Sequence, residues 1–263
     1  MSNNFKIIAG PCLAENEEIV AQTSEHLSQI AKKYQIELIY KASFRKANRT
    51  SIKSFEGVGD ETALAWINTY AKKYNLPSIT DIHNIENAIL AAKYVDVLQI
   101  PAFLSRQTEL LIAAGKTGKA VNIKKAQFMA PEDALKAAEK VLSTGNNQVW
   151  LTERGTFFGY HDLVVDMRSL LVMKSAGFPV IYDATHSVQQ PSLGEQSGGQ
   201  RQFIRSLARA AVAVGIDGVF FETHPNPTGA KSDAATQLPL SEADDFIYKL
   251  LELNDFIKRT LNA

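Results

Sequence analysis

The sequence predicts an α/β chain folded as one (β/α)8 barrel, the TIM barrel, with residues 1–263 forming a single catalytic domain. Three observations carry that prediction. The chain has 263 residues, close to the roughly 250 typical of such a barrel. Eight short β-rich runs recur along it, each followed by a stretch of helical pattern, and strands alternating with helices build a parallel sheet. Ionisable residues stand at the C-terminal ends of the runs, the end where this fold gathers its functional groups.

The runs are, in order, Lys6–Cys12, Glu37–Ser43, Pro77–His83, Val97–Ala102, Ala120–Lys124, Val149–Arg154, Pro179–His186 and Gly218–His224. Most are nearly continuous apolar stretches closed by a polar residue, as expected of parallel strands buried on both faces. After the fifth run, Pro131 falls at a predicted first helical turn, where its missing N–H does no harm. After the seventh, Gln202–Val214 reads as a helix with Phe203, Leu207, Ala210, Ala211 and Val214 on one face. After the eighth, Ser241 is the expected N-cap of the last helix. Eight repeats at this length favour closure over an open doubly wound sheet, and no linker or low-complexity tract marks a second domain.

Hydrophobic residues make up 45% of the chain and charged residues 21%, as in soluble globular domains. Lys plus Arg and Asp plus Glu number 28 each, so no global field draws in nucleic acid or an anionic membrane. An anionic ligand must be met by locally placed cations. Met1–Lys6 lacks a signal-peptide pattern, and no apolar run approaches the roughly 20 residues of a transmembrane helix. Cys12 is the only cysteine, which excludes an intrachain disulfide and points to a reducing, cytoplasmic setting.

The polar residues at the strand ends are Cys12, Lys41 with Ser43, Asp81 with His83, Gln99, Lys124, Arg154, Asp183 with His186, and Glu222 with His224. Lys41, Lys46, Arg49, Lys124 and Arg154 form a cationic set. An unpaired cation buried at a strand end is expensive, so several in a neutral protein imply a substrate with two or three negative groups. Lys46 and Arg49, in a loop, also admit a plain solvated reading. Cys12, His186, Glu222 and Asp233 have the chemistry of a divalent-metal site, a thiolate, an imidazole and two carboxylates suiting Zn²⁺, Fe²⁺ or Mn²⁺. Spacing alone is weak support for it. A lone cysteine is usually a small core residue, and His83 and His224 remain either further ligands or satisfied rim histidines. Ser197–Arg201 (SGGQR), before the seventh helix, and Gly57 with Gly59, after the second strand, offer phosphate-binding backbone or simple turns.

Longer motifs resemble one family. Lys41–Ser51 (KASFRKANRTS), Gln99–Gln107 (QIPAFLSRQ), Asn122–Phe128 (NIKKAQF), Glu153–Tyr160 (ERGTFFGY), Asp183–His186 (DATH), Ser197–Arg201 and Phe221–Pro225 (FETHP) are similar to 3-deoxy-D-manno-octulosonate 8-phosphate synthases, also called 2-dehydro-3-deoxyphosphooctonate aldolases. The resemblance runs in order over nearly the whole chain. Ala126 and Thr50 depart from it, where relatives often have Pro and Ser, without touching the implied chemistry.

The resemblance implies a transferase that condenses phosphoenolpyruvate with D-arabinose 5-phosphate for lipopolysaccharide biosynthesis. Carbon 3 of phosphoenolpyruvate attacks the aldehyde, water adds at carbon 2, and inorganic phosphate leaves with C–O cleavage. It implies that Lys124, Arg154 and the Ala102 backbone hold the phosphate of phosphoenolpyruvate and that Lys41 and Lys46 face its carboxylate. Asn48, Arg49, Thr50 and Ser51 would bind the sugar phosphate with help from Ser197, and Gln99 also belongs to the substrate site. His186, Asp233, Lys46 and Lys124 are the expected catalytic residues. The residue matching Arg106 reaches a neighbouring subunit's site in this family, which implies a homo-oligomer, a tetramer. A metal-independent branch carries Asn where this chain has Cys12. The resemblance therefore implies one divalent ion (Zn, Fe, Mn or Cd) on Cys12, His186, Glu222 and Asp233, as a Lewis acid or as the activator of a water.

Two rivals stand beside this reading. A 3-deoxyheptulosonate 7-phosphate synthase, using erythrose 4-phosphate, typically has Lys-Pro-Arg-Thr where this chain has Lys46–Ala47–Asn48–Arg49. A non-catalytic sugar-phosphate-binding barrel would be expected to lose its metal ligands first, and here all four are present.

Overall fold

The structure is a computed structural model that describes residues 5–47, 55–158, 162–190 and 198–261. Eight parallel strands follow one another around a closed barrel: β1 (Lys6–Gly10), β2 (Leu38–Lys41), β3 (Ser78–Asp81), β4 (Val97–Ile100), β5 (Ala120–Lys124), β6 (Val149–Glu153), β7 (Val180–Asp183) and β8 (Gly218–His224). Closure comes from β1 lying between β2 and β8, with Ile7 opposite both Leu38 and Val219. Helices α1 (Glu17–Tyr34), α2 (Asp60–Tyr74), α3 (Ile85–Ala91), α4 (Thr108–Lys116), α5 (Pro131–Leu142), α6 (Met167–Ser175), α7 (Ile204–Ala213) and α8 (Ala243–Leu261) each follow the strand of the same number.

The predicted barrel is present, with three corrections at its elements. Several runs overreach: Cys12, Ser43, His83, Ala102, Arg154 and His186 lie one to three residues beyond their strands. The apolar-to-polar switch marks where side chains reach the rim, and the ladder has already ended there. Ser241 does not cap α8, because it sits inside a 3-10 turn, Leu240–Glu242, that leads into the helix. The buried face of α7 is Ile204, Ala208, Ala211 and Val212, while Phe203 and Ala210 are exposed. Alanines on both sides of this helix blur which apolar stripe faces inward.

Strand alternation sets the layers that position the site. Ile7, Ala9, Ile123 and Leu151 point outward and join the large core between barrel and helices. Ile8, Ile39, Ile79, Val97, Ala120, Ile181 and Phe220 form a separate cluster, with Trp150 against it, inside the barrel. Two residues farther along the same strands the interior turns polar: Lys41, Asp81, Gln99, Asn122, Thr152, Asp183 and Glu222. The period of two puts both sets on one face. In β1 the matching position is Gly10, where a Cβ would lie 2.0 Å from the Lys41 carbonyl oxygen.

Candidate active site

The polar layer is tied together across strands. Thr152 Oγ1 donates to Asn122 Oδ1 (2.7 Å), Asn122 Nδ2 to Gln99 Oε1 (2.9 Å), and Gln99 Nε2 to Asp81 Oδ1 (2.7 Å). Ser43 Oγ completes the belt on the other Asp81 oxygen. Every donor in this chain points toward Asp81. Burial opposes charge on that carboxyl, but nearby Lys41, Lys46 and Lys124 outweigh it and hold its pKa below the usual carboxylate range. Gln99 thus has both ends of its amide engaged within the chain.

Cations and anions interleave above the belt. Lys41 Nζ donates to Glu222 Oε1 (2.5 Å) and to the Cys12 carbonyl (3.0 Å), with both side chains of the ion pair essentially without solvent exposure. Lys124 Nζ meets Asp183 Oδ2 at 2.5 Å and lies 3.5 Å from the centre of the Phe220 ring. Burial lowers the pKa of Lys124 in spite of Asp183. Arg154 donates from Nη2 to the His186 carbonyl (3.0 Å) and to Gln189 Oε1 (2.9 Å), while its buried Nε makes no hydrogen bond. Lys46 Nζ lies 3.7 Å from Asp233 Oδ2. Burial works against its charge, but the carboxylates of Asp233 and Glu222 raise its pKa.

One side of this arrangement has the donor set of a metal centre. Ligand atoms of Cys12, Glu222 and Asp233 all lie within 4.8 Å of one another. His186 borders the group, with Nε2 3.6 Å from Glu222 Oε1 and 3.7 Å from Asp233 Oδ2. Its ring is aimed by Asp183, whose Oδ2 engages Nδ1 at 2.7 Å while Oδ1 accepts the His186 backbone N–H at 2.9 Å. A carboxylate behind a histidine is the usual support of a metal-binding or proton-handling imidazole. Asp233 is in the left-handed region (φ +48°) and is held there by the Thr236 and Gln237 N–H groups donating to its carbonyl.

The residues fit a cation. Glu222 Oε2 is buried and has no hydrogen-bond partner. Burial, then the negative Asp233 and Glu222, push the Cys12 thiol well above its ordinary pKa. Cys12 Sγ lies 2.9 Å from Asp233 Oδ2 and 3.1 Å from Ser232 Oγ. A thiol and a spare carboxylate oxygen in one dry pocket each gain from a divalent ion.

The remaining expected residues divide three ways. Ala102 is buried at the start of a 3-10 turn beyond β4, its carbonyl bonded by Ser105. Arg106 is exposed farther along that loop and, after Lys136, helps hold the Asp133 carboxyl below its usual range. Asn48, Arg49, Thr50, Ser51 and Ser197 lie outside the described residues. His224 is a satisfied rim histidine: Nδ1 accepts the Asn226 N–H (3.0 Å) and Nε2 faces Glu15 Oε1 (3.2 Å). His83 meets Asn87 Oδ1 and the edge of Phe44. Two neutral residues of the site escaped the sequence reading. Gln189 donates to Asp233 Oδ1 (2.9 Å) while accepting from Arg154, and Gln237 Oε1 accepts the Cys12 N–H (3.1 Å). Uncharged loop residues carry no periodic or charge signal that would have exposed them.

Comparison with known proteins places the chain in a family. The model of the DAHP synthetase I family matches residues 2–259. A 2-dehydro-3-deoxyphosphooctonate aldolase of Syntrophotalea carbinolica is 49% identical over 253 residues, covering 96% of this chain and 91% of the relative. The chain belongs to the 2-dehydro-3-deoxyphosphooctonate aldolase family. Further members of this aldolase family are similar over comparable lengths. That of Francisella tularensis subsp. holarctica is 49% identical over 97% of this chain and 93% of its own. That of Syntrophobacter fumaroxidans is 45% identical over 100% and 91%. No helix among the described residues is long and apolar enough to cross a membrane.

Proposed function

We propose that the chain condenses phosphoenolpyruvate with D-arabinose 5-phosphate and water, giving 3-deoxy-D-manno-octulosonate 8-phosphate and inorganic phosphate for lipopolysaccharide biosynthesis. The carrying observation is that Lys41 and Lys46 pair with Glu222 and Asp233 of the Cys12–Glu222–Asp233 cluster while Lys124 and Arg154 bond Asp183 and the His186 carbonyl beside it, all at one barrel rim. Two anionic substrates held side by side by fixed cations turn a bimolecular encounter into a positioned one.

Each residue then has a task. Lys124 and Arg154, with the Ala102 backbone, neutralise the phosphate of phosphoenolpyruvate. Arg154 keeps its buried Nε for that purpose. Lys46 faces the carboxylate together with Lys41, which has a third N–H beyond its bonds to Glu222 and Cys12. Gln99 acts through Asp81, keeping the floor of the site rigid. Asn48, Arg49, Thr50, Ser51 and Ser197 take the sugar phosphate. His186, steadied by Asp183, and Asp233 hold or move protons at the reacting carbons. Cys12, His186, Glu222 and Asp233 would hold one divalent ion, Zn, Fe, Mn or Cd, which supplies a Lewis acid at the aldehyde.

The protein works in the cytoplasm, where its single cysteine stays reduced, as one catalytic domain in a homotetramer. Arg106, exposed on the loop after β4, reaches the sugar phosphate of a neighbouring subunit. Hybrids of Arg106→Ala and Arg49→Ala subunits should then regain activity at sites that escape both lesions, whereas activity equal to the parents' average rejects the sharing.

Release of inorganic phosphate from phosphoenolpyruvate, compared across arabinose 5-phosphate, erythrose 4-phosphate and ribose 5-phosphate, tests the function. Arabinose 5-phosphate should be far the best acceptor. A preference for erythrose 4-phosphate would make the chain a heptulosonate synthase, and no release with any acceptor would leave a binding barrel.

A further inference from the structure

Directly behind the cations that face the interior lies a further, hidden ion pair. Lys125 and Glu153 each adjoin one of them in sequence, Lys124 and Arg154. Alternation therefore turns the two side chains outward, in line with Ile123 and Leu151, into the layer between barrel and helices. Lys125 Nζ lies 3.5 Å from Glu153 Oε2, and each side chain is 1% exposed. That layer is otherwise largely apolar. Desolvating two charges there is unfavourable enough that a pair of apolar side chains would often serve packing as well or better.

What apolar residues would not supply is the set of bonds the pair makes to the rim loops after β5 and β6 and to the first turn of α6, with the loop after β4 reached through Met129. Lys125 Nζ donates to the Met129 carbonyl (3.1 Å) and to Thr156 Oγ1 (3.0 Å). Glu153 accepts the Gly155 N–H on Oε1 (2.6 Å) and the Ser169 hydroxyl on Oε2 (2.5 Å). Met129 Sδ packs 3.2 Å from the Ser105 hydroxyl, whose one proton is within reach of the Ala102 carbonyl at 2.9 Å. The loops joined in this way leave β4, β5 and β6, and Ala102, Lys124 and Arg154 stand at or just past the ends of those strands.

We propose that Lys125 and Glu153 are positioning residues that fix the mutual geometry of Ala102, Lys124 and Arg154, and so the affinity of the site for the phosphate of phosphoenolpyruvate. The proposal rests on the assignment of those three residues to that phosphate. Neither Lys125 nor Glu153 touches substrate. The pair holds the loops from the far side of the sheet, so that two cations stay apart by a set distance without a ligand between them.

Steady-state kinetics and thermal melting of the full-length enzyme test this. Lys125→Met should raise the KM for phosphoenolpyruvate roughly tenfold or more, since small misplacements of binding groups carry large penalties. The KM for arabinose 5-phosphate should stay at the wild-type value. The double variant Lys125→Met, Glu153→Leu removes the unpaired charge and should recover melting temperature, yet its phosphoenolpyruvate KM should remain high. Recovery of both properties together would mean the pair serves stability alone and overturns the proposal, as would equal rises in both KM values. If Lys125→Met does not fold, Thr156→Val decides: it removes one Lys125 acceptor and should still raise the phosphoenolpyruvate KM, an unchanged value rejecting the idea. A wild-type enzyme that consumes no phosphoenolpyruvate would instead refute the functional assignment on which the proposal stands.

Discussion

Glu222 gives one oxygen to Lys41 and buries the other without a hydrogen-bond donor. An unsatisfied buried polar atom costs about 1–3 kcal/mol, more when charged, so a bound cation has a definite gain to collect there. Binding to the folded chain alone should stabilise it by about 2.7 kcal/mol at a free-ion concentration 100 times Kd. Exhaustive chelation should therefore abolish activity and lower the melting temperature, and Zn²⁺, Mn²⁺, Fe²⁺ or Cd²⁺ should restore both to different degrees. Glu222→Gln should lose the metal-induced thermal shift, and its persistence would remove Glu222 from the ligand set. Asp183→Asn belongs to the same scale. It weakens the hold on both His186 and Lys124 and should reduce activity roughly 10–100-fold; near-wild-type turnover would show that orienting the ring is unimportant. His83 supplies a pH test. Burial outweighs the pull of Asp81 and lowers its folded pKa, so the unfolded chain takes up this proton first. The stability His83 contributes is whole above about pH 6.5 and is lost as pH falls below it. Denaturant midpoints at pH 5 and pH 7.5 should differ less in His83→Gln than in wild type. At this scale the sequence exposed the charged groups, because Lys41, Lys124, Arg154 and Glu222 interrupt apolar runs. It was silent on Gln189 and Gln237, neutral side chains whose importance lies only in what they join.

At the scale of elements, the ends of α1 respond in opposite directions. Asn16 caps its start, with Oδ1 accepting the Ile19 N–H at 2.8 Å. Asn16→Ala should lower stability by about 1 kcal/mol. The helix stops at Gln35, which is left-handed (φ 53°) although it carries a Cβ. Gln35→Gly should raise stability by up to about 1 kcal/mol. Urea unfolding of both variants checks the two signs, and a loss at Gln35→Gly would mean its side chain offsets the strain. The strands were legible because each is an apolar run framed by polar residues, and their order followed from alternation with helices. The antiparallel pairs Thr156–Phe157 with Leu163–Val164 and Gln189–Gln190 with Gly198–Gly199 were not. Two residues hold no period, and such pairs exist only once the loops around them are packed. The face of α7 was misread for a related reason: periodicity gives a helix its stripes, but the barrel wall decides which stripe is buried.

For the molecule as a whole, the decisive event is closure, which no local pattern encodes. The count of eight repeats points to it, yet the fit of β1 between its two neighbours depends on two glycines whose role appears only in three dimensions. At the lower end of the seam, a Cβ on Gly218 would lie 2.5 Å from the Lys6 carbonyl oxygen and 2.8 Å from Ile181 Cδ1. At the upper end of β1, on its β2 side, a Cβ on Gly10 would meet the Lys41 carbonyl, two residues below Cys12. Both contacts press on backbone, which cannot turn aside as a side chain can. Gly218→Ala and Gly10→Ala should each destabilise by about 1–3 kcal/mol or more, the usual range for overpacking. Their effects on the site should differ. Gly218 stands at the base of β8, level with Ile181 and with the apolar pair Ile8 and Phe220 between it and the rim, so Gly218→Ala should leave metal affinity and both KM values near wild type. Gly10→Ala must push β1 from β2 where Lys41 bonds the Cys12 carbonyl. It should weaken metal binding and raise the phosphoenolpyruvate KM along with the loss of stability. Calorimetric metal titration of the two variants, each held below its melting temperature, separates the outcomes. Equal metal affinity in both would mean that the β1–β2 contact absorbs the added carbon without moving Cys12, and that the site does not depend on how closely β1 and β2 approach.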